Sequence, residues 1–288
     1  MNKESKERVR LPYQAGAFYA SSSASLKAQI EGCFLHNLGP HNLPKVEEKG
    51  SRNIIALVNP HAGYMYSGPV AAHSFYALSQ DGKPDLIVVL GPNHTGLGSG
   101  VSIMTGGVWR MPLGDVAVDS EFAECIQKAS KFADVDDVAH KFEHSVEVQL
   151  PFLQYLYGNS FKFVPICMLM QDLDVSRDVG KAIVEAASGR NVLIIASTDM
   201  THYEPQNRAE SKDKQAIEAI LKLDEAQLQS VVESQNITMC GYGPTSVAII
   251  ASKSLGATKA QLLCYKTSGD LTNDRSQVVG YASLKIIK

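Results

Sequence analysis

Histidine is the residue type whose placement in this sequence points most directly to chemistry, because a neutral imidazole can bind a metal ion or transfer a proton near pH 7. Three histidines closely follow apolar, β-branched runs: His61, His94 and His202. The runs are Ile54–Val58, Leu86–Leu90 and Val192–Ala196. In open α/β sheets, ligands bind beyond the carboxyl ends of the strands. We therefore expect these imidazoles, together with Asp199, to meet in one crevice if the three strands are neighbours.

Two other segments carry groups of the same kind. Cys240 precedes a helical pattern whose start contains Gly241 and Pro244, and a thiol before a helix N-terminus is expected to favour the thiolate that binds metal. His144 and Glu147 are three positions apart, so they share a face if this segment is helical. We expect His144 to be a further pocket group with an acidic neighbour.

Each of these residues also has a plainer interpretation when it is taken alone. A loop histidine is commonly a surface group, Cys240 suits a small packed residue, and Asp199 suits a helix cap. The segment Glu143–Glu147 suits a solvated helix face. The functional interpretation depends on three histidine-bearing loops occurring together. The remaining histidines lack such a setting and are expected to be structural or superficial: His36, His41, His73 and His140.

Other catalytic motifs are incomplete. The glycine-rich segment Gly96–Gly100 lacks the lysine of a phosphate-binding loop, and no GxSxG sequence occurs. The five cysteines are odd in number and form no CxxC pair, which argues against a disulfide framework and against a zinc ribbon. Aromatic residues that could line the crevice are Tyr64, Tyr66, Trp109, Tyr203 and Tyr242.

Composition narrows the function classes further. A net charge of −3 provides no general attraction to nucleic acid or to an anionic membrane. No apolar run approaches the roughly 20 residues that span a bilayer. The polar start MNKESKERVR lacks the apolar core of a signal peptide, so we expect a cytoplasmic protein.

Apolar runs alternate with helical patterns along the 288 residues, which predicts a single α/β domain over residues 1–288. We expect a central, largely parallel or mixed sheet flanked by helices. Predicted strands are Ile54–Val58, Leu86–Leu90, Phe161–Cys167, Val192–Ala196 and Val278–Ile287. Predicted helices are Ser25–Leu35, Val70–Leu78, Ser120–Lys131, Ser145–Tyr157, Ser176–Ala187, Asp213–Lys222, Glu225–Glu233 and Pro244–Leu255. Pro151 should kink the fourth helix or mark its true start, and residues 39–52 read as a surface loop.

Six segments, in order along nearly the whole chain, resemble the Memo family. They are Arg10–Pro12 with Ala15–Tyr19, Leu57–Pro69, Gly91–His94, Glu143–Ser145 with Gln149–Phe152, Ser197–Tyr203, and Met239–Pro244. The resemblance implies a fold similar to class III extradiol ring-cleaving dioxygenases. Those enzymes bind non-haem Fe(II) through two histidines and one carboxylate.

The same resemblance implies a role for each pocket residue. His61 and His94 would be the histidine ligands of the metal, and Cys240 would occupy the third ligand position. His202 would be the acid–base histidine with Asp199 beside it, and His144 matches another pocket histidine of the family. Because a thiolate is softer and more easily oxidised than a carboxylate, Cys240 departs from the pattern that ring cleavage requires.

The resemblance leaves two functions open. One is a metal-dependent oxidoreductase that uses iron or copper. The other is a non-catalytic module that reuses the fold to bind a small molecule or a peptide, such as the phosphotyrosine peptides associated with animal members. Prokaryotic members occur with an AMMECR-type protein and a radical-SAM protein in the AmmeMemoRadiSam system, which makes both of them possible partners.

Overall fold

The computed structural model describes residues 8–288, and it consists of one α/β domain built on a mixed sheet. The segment 1–7, on which the expectation about a signal peptide largely rests, lies outside the described residues. The strands are β1 (Val9–Arg10), β2 (Ile54–Asn59), β3 (Leu86–Pro92), β4 (Val101–Ile103), β5 (Val108–Met111), β6 (Gly114–Val118), β7 (Ala133–Val135), β8 (Lys162–Met168), β9 (Val192–Ser197), β10 (His202–Glu204), β11 (Lys259–Thr267) and β12 (Val278–Ile287).

Helices pack against the sheet in two groups. The helices are α1 (Ser23–Leu35), α2 (Tyr64–Ser79), α3 (Ser120–Ala129), α4 (Leu150–Tyr157), α5 (Leu173–Ala187), α6 (Gln206–Leu221), α7 (Glu225–Ser234), α8 (Tyr242–Ser254) and the short α9 (Gly269–Thr272). Helices α1, α2 and α4 contact one another, and α3, α5, α7 and α8 form a second set of neighbours. Among residues 8–288, none of the helices combines the length and apolar composition that crossing a bilayer requires.

The order of strands confirms the expected position of the histidine loops. Strands β8, β3, β9 and β2 lie side by side and are parallel, and β12 adds to β2 in the antiparallel direction. Strands β2, β3 and β9 are buried at every position, as expected for strands covered on both faces. Ala196 pairs with Leu90 on one side and with Val58 on the other. The three strands therefore end together, and their loops leave the sheet at one edge.

The five predicted strands and the eight helical regions are present, with the predicted bounds for Val278–Ile287 and shifted ends for the others. One predicted helix needs correction. The region Ser145–Tyr157 contains a 3₁₀ turn at Glu147–Gln149, and α4 begins only at Leu150. Pro151 explains this start, because proline has no N–H to donate and is tolerated in the first helical turn. His144 consequently lies in a loop, and the expectation that it shares a helix face with Glu147 is wrong.

Strand β11 and the short strands were not predicted from the sequence. Residues of β11 alternate irregularly between partly exposed and buried positions, and the strand is interrupted by a bulge between Leu262 and Cys264. Strands of two to five residues, such as β1 and β7, are too short to show a period. The predicted loop at residues 39–52 contains no helix or strand.

A close approach at Gly91 fixes the segment that carries His144. A Cβ atom on Gly91 would overlap Oγ of Ser145, so only glycine lets this segment lie against the end of β3. The Ser145 hydroxyl uses that proximity to donate a hydrogen bond to the Pro92 carbonyl at 2.8 Å.

The substitution Gly91→Ala should therefore lower the free energy of unfolding by about 2 kcal/mol, the range typical of forced overpacking. Gly32→Ala is the matched control, because Gly32 lies inside α1 with nothing within 4 Å of an added Cβ. The control should gain about 0.5–1 kcal/mol from helix propensity. Denaturant unfolding of both variants measures the two effects, and equal stability of Gly91→Ala and wild type would contradict the close approach.

Candidate metal centre

Three imidazoles meet beyond the ends of β2 and β3. The ring centroids of His61 and His94 are 5.3 Å apart, and those of His61 and His144 are also 5.3 Å apart. The rings of His94 and His144 are stacked, with centroids 4.6 Å apart and an interplanar angle of 21°. The structure thus brings together two of the predicted strand-end histidines and the predicted pocket histidine.

The tautomer of His61 follows from its hydrogen bonds. Nδ1 of His61 lies 2.9 Å from Oγ of Ser197. The Ser197 hydroxyl donates to the Ser145 carbonyl at 2.6 Å, and it accepts from Nε2 of Gln149 at 2.8 Å. Because the hydroxyl has a single proton, it must accept from His61, whose Nδ1 is therefore protonated. Nε2 keeps its lone pair and lies 3.3 Å from Sγ of Cys240.

A buried carboxylate fixes His94 in the same way. Glu143, with 1% of its surface exposed, accepts a hydrogen bond from Nδ1 of His94 at 2.9 Å, so Nε2 of His94 is free to bind. The carboxylate also accepts backbone N–H groups of His94, His144 and Ser145. Burial raises the pKa of Glu143, but the hydrogen bond from His94 and the charges of His94 and His144 outweigh it and hold the pKa at about 2.

His144 completes the trio and approaches the same Glu143 oxygen as His94. Its Nδ1 lies 3.3 Å from Oε1 of Glu143, and the ring of Phe18 packs edge-on against it with centroids 5.0 Å apart. Burial lowers the pKa of His144 to about 4, against the attraction of Glu143. The imidazole is therefore neutral near pH 7.

Cys240 lies against the loop that follows β9. The backbone N–H of Asp199 donates to Sγ of Cys240 at 3.2 Å. This approach requires Gly241, because a Cβ there would overlap the Ser197 carbonyl oxygen. The environment of Cys240 opposes the predicted stabilisation of the thiolate by the helix N-terminus. Burial raises the pKa of Cys240 above its usual range, and the Asp199 carboxylate raises it further.

Asp199 holds the His61 loop rather than capping a helix. Its Oδ1 accepts the backbone N–H of His61 at 2.8 Å, and the backbone N–H of Ala62 also donates to this carboxylate. Burial raises the pKa of Asp199 to about 6, although both hydrogen bonds favour the ionised form. The helix-cap interpretation of Asp199 is therefore wrong, since α6 begins after Pro205.

His202 is partly buried near Asp199. Its Nδ1 lies 2.9 Å from the carbonyl oxygen of Thr238, which can only accept, so Nδ1 carries the proton and Nε2 keeps its lone pair. His202 is near enough for its charge to act on the pKa values of His61 and Asp199. This position is compatible with proton transfer. The two metal-ligand groups found among residues 8–288 do not include His202.

Two sets of side chains in the described part of the chain have ligand atoms within 4.8 Å of one another. The first set is His61, His94 and Cys240, and the second is His94, Glu143 and His144. The second set draws on Glu143, whose oxygens already accept four N–H groups. The first set presents two imidazole Nε2 atoms and one sulfur. It therefore fits a metal that accepts nitrogen and sulfur ligands.

A buried ion pair supports the loop that carries Glu143, and sequence reasoning missed it. The guanidinium of Arg10 pairs with Glu147 and donates to the carbonyl oxygens of His140 at 3.0 Å and Glu143 at 2.6 Å. Glu147 also accepts the hydroxyl of Tyr19. Both glutamates are buried, so the interpretation of Glu143–Glu147 as a solvated helix face is wrong. Burying an isolated charge costs several kcal/mol of free energy, on the order of the penalty per ion in proteins. The buried Glu147 is accordingly paired with a basic residue that is distant in sequence, Arg10.

The remaining aromatic and histidine residues divide between core and surface. Trp109 and Tyr64 are buried in the apolar core rather than lining the crevice, whereas Tyr66 and Tyr203 are exposed. His140 is completely buried, and its Nε2 lies 3.2 Å from the Ser102 carbonyl oxygen. Its structural role agrees with the expectation.

The fold and the His/Cys cluster define an α/β protein with a site that could hold a metal. The sequence matches the model of the family described as Memo-like protein over residues 10–285, and the chain belongs to this family. It is 53% identical over 277 residues to a MEMO1 family protein of Methanopyrus kandleri, covering 96% of this chain and 98% of the relative. It is 51% identical over 278 residues to a MEMO1 family protein of Methanothermobacter thermautotrophicus, covering 96% and 99%.

A solved structure supports the fold alone. An uncharacterized protein of Escherichia coli K12 superposes with a TM-score of 0.51 at 11% identity, covering 80% of this chain and 99% of that chain. At this identity, the likeness concerns the arrangement of helices and strands.

His140 gives a prediction about acid stability. Burial, and secondly the charge of Arg10, lower the pKa of His140 from 6.5 to about 4. Between these values the unfolded chain binds a proton that the folded protein does not, so stability falls as the pH drops from about 6.5 to about 4. This residue should account for up to about 3 kcal/mol of the loss.

The variant His140→Gln, whose amide can still donate to the Ser102 carbonyl, should therefore lose less stability than wild type between pH 7.5 and pH 5. Denaturant unfolding at the two pH values measures the difference. His41→Gln is the control, because His41 is exposed, and its pH response should equal that of wild type. Parallel pH responses of His140→Gln and wild type would contradict the assignment.

Proposed function

We propose that this protein binds iron or copper through His61, His94 and Cys240 and uses the metal in a redox reaction. The observation that carries the proposal is the placement of their ligand atoms within 4.8 Å of one another. It is supported by the hydrogen bonds that Nδ1 of each histidine donates. Because the proton is on Nδ1, Nε2 of each ring keeps the lone pair that binds a metal. Positioned ligands of this kind bind with little loss of side-chain entropy.

The donor set suits a metal of intermediate softness, and iron and copper are the redox-active metals among those that it fits. Imidazole nitrogen suits iron, copper and zinc, and thiolate suits Cu(I), zinc and iron. Bound iron or copper would supply one-electron chemistry and an open position for a small ligand. His202 would accept or donate a proton at Nε2, with Asp199 beside it to balance the charge. His144, held by Glu143, would border the same space.

Anaerobic reconstitution tests the proposal. Wild-type protein incubated with Fe(II) or with Cu(I) should retain about one equivalent of metal after desalting. His61→Ala and His94→Ala should each weaken binding by at least about tenfold, because each removes one of three ligands. His73→Ala is the control, since His73 is half-buried and bonded to the Leu38 carbonyl outside the cluster.

Metal analysis by mass spectrometry gives the identity and the stoichiometry. Stoichiometric binding that survives both ligand substitutions unchanged would contradict the proposed site. Retention of zinc in preference to iron and copper would contradict the redox function while leaving the ligand set intact.

A second candidate function is a binding module for a peptide or a partner protein. Large apolar side chains are exposed in the segments that follow the parallel strands: Met65, Tyr66, Leu97, Leu169, Met170 and Tyr203. Such side chains can form a protein-binding surface. The occupant would be a peptide of the phosphotyrosine type, or an AMMECR-type or radical-SAM partner.

Recognition of a phosphotyrosine requires a group that can bind its phosphate. Arg10 is a cation of the kind that binds phosphate, but it is buried and engaged by Glu147 and by two carbonyl oxygens. Arg10 is therefore not available to a phosphate, which the imidazoles or bound metal would bind instead. Calorimetric titration of one peptide with and without the phosphate, in the presence and absence of metal, tests this function. No heat in any of the four titrations would count against it.

A further inference from the structure

We propose that Tyr281 is a ligand-binding residue of the same centre, and that its hydroxyl donates a hydrogen bond to an anion or oxygen atom of the ligand that enters beside Asp199. This inference rests on the proposed metal site. It assigns a role to a residue of β12, a strand that contributes none of the histidines described above.

Backbone hydrogen bonds attach the Asp199 loop to β12 directly beside Tyr281. The N–H of Gly280 donates to the Thr201 carbonyl at 2.9 Å, and the N–H of Met200 donates to the Gly280 carbonyl at 2.9 Å. His202 continues this contact by pairing with Val279. The strand position of Tyr281 is therefore fixed relative to the loop that carries Asp199 and His202.

The alternation of side chains along a strand decides which face Tyr281 occupies. A Cβ atom on Gly280 would overlap the carboxylate of Asp213 and would lie 3.1 Å from Cβ of Met200, so these side chains fill that face. Successive residues of a strand point to opposite faces, which directs Tyr281 away from Asp213. Burial raises the pKa of Tyr281, and Asp199, Tyr66 and Tyr203 are near enough to raise it further.

The hydroxyl of Tyr281 makes no hydrogen bond within residues 8–288, although only 2% of the residue is exposed. Unlike the Tyr157 hydroxyl, it is not among the fully buried atoms without a partner, so it borders open space. Two other buried tyrosines are paired: Tyr19 donates to Glu147, and Tyr64 donates to the Val148 carbonyl at 2.7 Å. A hydroxyl that borders a cleft can donate to a molecule in it, whereas phenylalanine would fill the same volume without a donor. A ligand in the cleft would supply the missing acceptor.

The neighbouring residue Tyr203 adds an independent observation. Its φ is +59°, a left-handed conformation that residues with a side chain rarely adopt. Tyr203 is 72% exposed, and it lies at the bulge between His202 and Glu204 in the pairing of β10 with β12. Bulges are over-represented next to active sites, where they change the direction of a side chain. This bulge lies next to the loop that Gly280 holds.

Azide binding to protein loaded with Co(II) or Cu(II) tests the inference, because azide is an anion that can enter an open metal position and its binding is followed by absorption. Wild type, Tyr281→Phe and Tyr157→Phe are compared. Tyr157 is the matched control, since it is also a buried tyrosine whose hydroxyl has no partner, and it lies near Arg52 and Asp81, away from the cluster. All three proteins should bind one metal ion.

Tyr281→Phe should weaken azide binding about tenfold, the effect of one hydrogen bond to an anion, and Tyr157→Phe should leave it unchanged. The melting temperature of ligand-free Tyr281→Phe should not fall, because the lost hydroxyl has no partner among residues 8–288. Wild-type azide affinity in Tyr281→Phe, a loss of metal from this variant, or a fall in its melting temperature would each overturn the inference alone. A wild-type protein that binds no metal would overturn the proposed function together with it.

Discussion

The single proton of the Ser197 hydroxyl determines which nitrogen of His61 is free to bind a metal. Ser197 gives that proton to the Ser145 carbonyl, so it can only accept from Gln149 and from His61. Nδ1 of His61 must then carry a proton, and its Nε2 lone pair faces Cys240. Ser197 is the last residue of β9, between β3 and β2, and the strand order of the sheet therefore controls which nitrogen of the histidine is free to bind.

The buried carboxylate of Glu143 fixes the proton of His94 on Nδ1 in the same way. The loop that carries Glu143 needs support from other parts of the fold. Glu143 is kept ionised by hydrogen bonds, and the loop around it is held by the guanidinium of Arg10 through backbone carbonyls. Arg10 is neutralised in turn by Glu147. A buried pair of this kind contributes little net stability, but removing one partner would leave an uncompensated charge. Strand β1, which contains Arg10, is thus linked to the orientation of His94, a candidate metal ligand.

Much of the centre could be predicted from the sequence, because strand-end histidines are a local pattern. His61 and His94 follow apolar runs and meet as expected once β3, β9 and β2 are neighbours. Contacts between residues that are distant in sequence produce no such local pattern. The partner of Glu147 is Arg10, 137 positions away, and its burial could not be recognised from the segment itself. Tyr281 lies in a correctly predicted strand. Its proximity to Asp199 depends on backbone hydrogen bonds between β12 and the loop that follows β9, which no local pattern shows.

X-ray absorption at the metal edge, combined with a crystal structure of protein purified without oxygen, would identify the ligands of the bound metal. We predict one iron or copper ion bound by Nε2 of His61, Nε2 of His94 and Sγ of Cys240. Sulfur in the first coordination shell would appear at about 2.3 Å, the distance typical of metal–thiolate bonds. Coordination through Nδ1 of either histidine, or a metal bound by Glu143 and His144 without sulfur, would contradict it.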